Sequence, residues 1–164
     1  MSEPVRSADE PFAFSRDEWL FGAFQSWLAF VVLACAAMVA WSVFPSLPTR
    51  FDGLAWVPMI VAMTAIIGGT VSFAVMLIGL PVAYALGRAL RRTTSTAVHL
   101  TTYAGLGAAI GTLALGVFWL AVGAPWPALA VTTIAVTTAS TTWGWWRASR
   151  GARRAPGGTT GVPA

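Results

Sequence analysis

The sequence predicts an all-α fold: an integral membrane four-helix transmembrane bundle with short loops. Residues 53–87 and 93–146 contain no charged side chain, and only Ala89, Leu90 and three arginines separate these stretches. Apolar residues make up 57% of the 164-residue chain and charged residues 10%, against roughly 45–50% and 25% in water-soluble domains. The arginines gather at the edges of the apolar runs, as cytoplasmic anchors do. A water-soluble fold of this size has too little interior to hide so much apolar surface, whereas a bilayer accepts it.

The first span is predicted over residues 19–44. Ser15-Arg16-Asp17-Glu18 has the spacing of a capping box, with Phe14 and Trp19 at the positions of a hydrophobic staple. Pro45 and Pro48 end the helix. The span is long enough to cross a hydrocarbon core of roughly 30 Å at about 1.5 Å per residue. Residues 45–53 form a loop. The second span, 54–86, is longer than a crossing requires, so it must tilt or bend, and Gly79-Leu80-Pro81 is the expected bend. Thr93-Thr94-Ser95-Thr96 is a polar connector whose hydroxyls can cap the third span, 98–122. Gly123-Ala124-Pro125-Trp126-Pro127 is a tight turn into the fourth span, 126–146, with Pro127 suited to a first helical position. The transmembrane domain thus covers 15–146. It lies between a cytoplasmic N-terminal segment, 1–14, and a basic tail, 147–164, whose Gly/Pro/Thr composition predicts disorder.

Orientation follows from counting arginines. Four spans put both termini and the middle connector on one side, which then holds nine of the ten arginines, with Arg50 alone opposite. The positive-inside rule makes that side cytoplasmic, N-in and C-in. Trp19 and the Trp143/Trp145/Trp146 cluster fall at the inner interface, and Trp41, Trp56, Trp119 and Trp126 at the outer one, depths that indoles favour. Residues 1–18 carry five acids against two arginines, the reverse of a cleavable signal. Arginine without lysine, with heavy use of Ala, Gly, Val and Thr, is the habit of G+C-rich bacterial genomes and points to a bacterial cell membrane.

No stretch reads as a catalytic, cofactor or metal motif, and no nucleophile–base pair is evident on one side, so the reading leans away from an enzyme. Cys35 stands alone, which excludes a disulfide within one chain. His99 is the only histidine, which excludes bis-histidine haem ligation within one chain, and it reads as a neutral residue near the interface. The spans hold no ionisable group at mid-depth, where ion-coupled pumps and proton relays keep one. The arginines flank apolar spans rather than interleaving with aromatics, so nucleic acid is not the expected partner. The lipid bilayer is, together with a protein partner or a second copy of the chain.

Three features carry what functional signal there is. Gly105, Gly107, Gly111 and Gly116 lie on the third span, with Gly107 and Gly111 in GxxxG spacing that lets helix backbones approach closely. Contact with another span of the same chain is the simpler use of this face, and a dimer contact the sharper one. Thr133, Thr137 and Thr141 sit four apart on the fourth span and form a stripe that could line a cavity. Each hydroxyl can equally bond the carbonyl one turn back. Arg88, Arg91, Arg92, Arg147, Arg150, Arg153 and Arg154 are candidate lipid-headgroup anchors. The leading expectation is a non-enzymatic accessory subunit or self-associating scaffold that packs through small-residue helix faces. The alternative is a passive transporter or channel component with a Thr-lined cavity in span four.

Overall fold

The computed structural model describes residues 16–43, 55–123 and 127–154, which are helical with no strand among them. Helix α1 runs Arg16–Val43, with Asp17 and Glu18 in its first turn, where the positive end of the helix dipole favours acids. The predicted Ser15 cap, the Phe14 staple and the loop at 45–53 lie outside the described residues.

The second apolar run is continuous from Val57 to Leu90. It comprises α2 (Val57–Met63), a widened π turn (Thr64–Gly68) and α3 (Gly69–Leu90). The departure from α geometry therefore falls at Thr64–Gly68, whereas Pro81, the expected bend, stands inside α3. Neighbouring helices and local adjustment make such a proline tolerable in a membrane helix. The π turn sits where the helix meets α1. Gly69 is buried, a Cβ placed on it would lie 3.7 Å from Val31, and its carbonyl accepts the Trp27 indole N–H at 3.1 Å. The helix continues past 86, the predicted end of the span, with Arg88 in a last turn whose dipole favours a cation.

Helix α4 (Thr96–Val122) starts at the predicted connector: extended Ser95 is the cap, its hydroxyl accepting the Val98 N–H at a long 3.5 Å. It ends at Gly123, whose left-handed φ of 73° and N–H bond to the Trp119 carbonyl close the helix as only glycine does without strain. Helix α5 runs Pro127–Arg154.

The first eight residues of the segment predicted to be a disordered tail are therefore helical. Residues 147–154 continue α5, and 155–164 lie outside the described residues. Composition alone hid the reason. Ala148 and Ser149 are buried, with Ala148 against Gly22 of α1, and Arg150 lies 4.0 Å over the Trp146 ring. These contacts hold the last turns in the helix.

Among the described residues, three helical runs are long and apolar enough to cross a membrane: Asp17–Val43, Val57–Leu90 and Thr96–Ala121. Helix α5 is as long, but its threonines and serines and its arginine-rich end dilute its apolar content. It packs extensively on both α1 and α4 and forms the centre of the arrangement. Helix α3 leans on α1 and barely touches α4.

Burial is inverted relative to a water-soluble bundle. The buried polar residues are His99, Thr137, Ser140 and Ser149, and the buried hydrophobic ones only Tyr103, Trp145 and Ala148, among the described residues. Leu120 is 91% exposed, Ile78 76% and Leu113 70%. In water such continuous apolar surface would drive association, whereas in lipid it is solvated.

Candidate intramembrane cavity

Two close helix crossings shape the interior. Between α1 and α5, Gly22 and Ser26 meet Gly144 and Ala148. A Cβ placed on Gly22 would lie 2.9 Å from Ala148 Cβ, and one on Gly144 would lie 2.5 Å from Ser26 Cβ and 2.7 Å from the Gly22 carbonyl oxygen. Between α4 and α5, a Cβ on Gly107 would lie 2.7 Å from the Thr137 carbonyl oxygen and 2.8 Å from Thr138 Cα. One on Gly111 would meet the Thr137 hydroxyl and lie 3.1 Å from Ile134 Cα. Gly105 and Gly116 have nothing within 4 Å of a built Cβ. The four candidate glycines therefore divide: Gly107 and Gly111 face α5, and the other two face away.

The α1–α5 crossing escaped sequence reading. Its signal, Gly-x-x-x-Ser in α1 against Gly-x-x-x-Ala in α5, lacks a second glycine on either side. Gly144 also sits inside a tryptophan cluster that reads as an interface belt.

Of the threonine stripe, Thr137 is buried and Thr141 half-buried, and both face the interior. Thr137 donates to the Thr133 carbonyl at 2.9 Å and the Ile134 carbonyl at 3.0 Å, and Thr141 donates to the Thr137 carbonyl at 2.7 Å. Ser140 likewise donates to the Thr137 carbonyl, at 3.0 Å. Local back-bonding of this kind lets hydroxyls sit inside a helix bundle without a partner from another helix.

At the arginine-rich end the helices are plugged by aromatic rings. His99, 1% exposed, stacks on Trp145 with centroids 5.3 Å apart and planes 13° from parallel. Tyr103 lies against Trp145 as well, at 6.1 Å, and its hydroxyl points to the Ala83 carbonyl at 3.4 Å. His99 Nε2 is 2.9 Å from the Thr93 carbonyl oxygen, so the ring also ties the α3–α4 connector to the bundle. The sequence places His99 near the inner end of its span, and the structure shows it buried among the helices against Trp145. Trp145 turns inward, while Trp143 stays exposed and packs on Trp146 at 4.9 Å.

Above this plug, where α3 and α4 separate, the helices enclose a partly open cavity of about 150 Å³. Helices α1, α3, α4 and α5 all contribute to its wall. Thr137 and Thr141 line it; Thr133 does not. Trp27, Tyr103 and Trp145 supply aromatic surface, Ser26, Ser72 and Ser140 further hydroxyls, and no charged residue among those described lines it. An uncharged wall with a few polar groups suits reversible binding of a neutral molecule.

The anchor candidates sit at the plugged end. Arg88 closes α3, Arg91 and Arg92 follow in the connector, and Arg147 and Arg150 project from the last turns of α5. Arg88, Arg92, Arg147 and Arg150 are exposed and Arg91 is partly so. Arg153 and Arg154 belong to the same helix. Comparison of the chain with known protein families, with curated proteins and with solved structures finds no match.

Proposed function

We propose that this chain is a four-span membrane protein, N-in and C-in, that holds a small uncharged molecule inside its bundle, as a binding or passive-transport component rather than a catalyst. The observation that carries the proposal is the cavity walled by α1, α3, α4 and α5, with Thr137 and Thr141 on its wall. The small-residue face at Gly107 and Gly111 is engaged by α5 of the same chain, which leaves less of it for a partner subunit or a scaffold contact. A fourth crossing is supported by the position of α5, which packs on α1 and α4, both of spanning length and composition. The orientation rests on the arginines gathered at one end, where each contributes roughly 1 kcal/mol of attraction to an anionic cytoplasmic leaflet.

The test is equilibrium unfolding of the protein in nanodiscs, with and without toluene as a small apolar filler. Ligand that binds only the folded state raises stability by mass action. Toluene should raise the unfolding midpoint of the natural chain and leave Ser72→Phe, whose added ring occupies the cavity from the loosely packed α3, unmoved. Equal responses in both proteins, or none in either, would refute a binding cavity.

A further inference from the structure

We infer that the cavity takes one acyl chain of an anionic phospholipid, drawn from the leaflet at the arginine-rich end through the seam between α3 and α4, with the headgroup phosphate on Arg88 and Arg91. This rests on the cavity being a binding site, as proposed above, and extends its guests from free small molecules to a membrane lipid. The packing leaves one way in. Helix α1 packs on α3 and on α5, and α4 packs on α5, so three of the four seams around the cavity are closed. Helices α3 and α5 do not approach each other, and α3 barely touches α4, so the partly open cavity faces lipid through the fourth seam. Two side chains of α4 reach across it: the Tyr103 hydroxyl points to the Ala83 carbonyl at 3.4 Å, and Ile110 lies 3.8 Å from a Cβ built on Gly79.

The wall has the length of one leaflet. It runs from Trp19 to Phe30 on α1, from Ser72 to Ala83 on α3 and from Thr137 to Ala148 on α5. Each stretch rises eleven residues, roughly 16 Å at about 1.5 Å per residue, and half of a hydrocarbon core is about 15 Å. A cavity of about 150 Å³ drawn out over that length is narrow, the shape of a hydrocarbon chain rather than of a ring. Most of the wall is apolar, with Val75, Met76, Leu80, Leu106 and Ile110 beside the seam helices' own glycine and alanine. Ser72, Thr137, Ser140 and Thr141 return their hydroxyl protons to carbonyls of their own helices, so a hydrocarbon chain strands none of these donors.

The seam ends at arginines. Arg88 follows Ala83, the last wall residue of α3, by five residues, about 7.5 Å of rise, and the headgroup layer on each face of a bilayer is roughly 5–7 Å deep. Arg91, at the helical C-cap of α3, stands about three turns beyond Leu80 and so on the cavity-facing side. Asp17 and Glu18 are the acids of this end among the described residues, outnumbered by Arg88, Arg91, Arg92, Arg147 and Arg150. Lipid tails are as apolar as the wall, so no hydrophobic gain draws the chain in, and the selection comes from the charge of the headgroup.

The experiment is delipidation of the protein in detergent micelles, add-back of equimolar dioleoyl phosphatidylglycerol and dioleoyl phosphatidylcholine, and native mass spectrometry of what is retained. The natural chain should keep one lipid, with phosphatidylglycerol favoured about fivefold, the worth of one arginine. Arg88→Gln combined with Arg91→Gln should bring the two lipids toward equality while lipid is still retained. Ser72→Phe, whose ring occupies the cavity, should lose the lipid. Saturating toluene should displace it from the natural chain, an arm that needs no variant. Retention undiminished by the added ring or by toluene would put the lipid on the outer surface and overturn the inference. Equal retention of the two lipids by the natural chain, or a preference untouched in the arginine variant, would overturn the headgroup contact. No retained lipid in a natural chain that toluene still stabilises would overturn the lipid assignment and leave the cavity to small neutral guests. Neither lipid nor a toluene response would remove the site itself.

Discussion

Gly144→Ala tests the α1–α5 crossing, because a single methyl group is added where backbone and Cβ atoms already touch. The built Cβ lies 2.5 Å from Ser26 Cβ, 2.7 Å from the Gly22 oxygen and 3.0 Å from Ser26 Cα. Ordinary contact begins at 3.4 Å, so α1 must retreat by about 0.9 Å at this point. None of the three atoms is the far end of a flexible side chain, so no rotamer change relieves the clash. Overpacking of this kind costs about 1–3 kcal/mol. Replacing glycine by alanine inside a helix returns about 1 kcal/mol. The net expectation is a loss of up to about 2 kcal/mol. Gly116→Ala is the matched control, since its Cβ meets nothing within 4 Å, and it should be neutral or stabilising by up to about 1 kcal/mol. The two variants therefore shift stability in opposite directions for the same chemical change. Reversible unfolding in mixed micelles of increasing denaturing-detergent fraction, followed by tryptophan fluorescence, measures both. Indistinguishable midpoints for the two variants would refute the crossing.

Other perturbations have equally definite outcomes. Gly123→Ala forces a Cβ into the left-handed region at φ 73° and should cost about 1 kcal/mol in the same assay, whereas Gly123→Asn should cost less. His99→Leu removes the contact to the Thr93 carbonyl, so backbone amides at 93–95 should exchange hydrogen faster while the middle of α4 does not; uniform acceleration would point to global loosening instead. In a Cys35→Ala background, a membrane-impermeant thiol reagent should label Ser46→Cys on intact cells and Thr94→Cys only after lysis. The opposite pattern would reverse the proposed orientation, and labelling of both on intact cells would break the four-span topology.

How far the chain could be read in advance depended on whether the signal was local. Uncharged runs bounded by arginine and proline are local, and they located α1, the run through α3, and α4. Ser95, Gly123 and Pro127 act within one turn of themselves, and the helix ends fall where their chemistry demands. The interior was less legible because it is a property of pairs. Gly144 needs Ser26 opposite it before its missing side chain means anything, and the buried state of His99 depends on Trp145, far along the chain. Residues 147–154 look like a solvated basic tail until Ala148 is seen against Gly22. The π turn at Thr64–Gly68 has no compositional mark at all, whereas the conspicuous Pro81 lies inside α3. For the cavity, the sequence supplied Thr137 and Thr141 but could not supply the separation of α3 from α4 that gives them a space to face.

The central place of α5 has a consequence for how the protein is made. Synthesis runs from the amino terminus, so α5, the most polar of the long helices described, leaves the ribosome after α1 and α4, yet both pack chiefly on it. Until it arrives, the small-residue faces at Gly22 and Gly107 have no mate, and the nascent chain holds a vacant slot between its first and fourth α-helices. Filling that slot gives the glycines of both faces the close backbone contact that lipid alone would not. A chain cut short before Pro127 would keep all three strongly apolar segments and still lack the element that joins them, making it a natural target for membrane quality-control proteolysis.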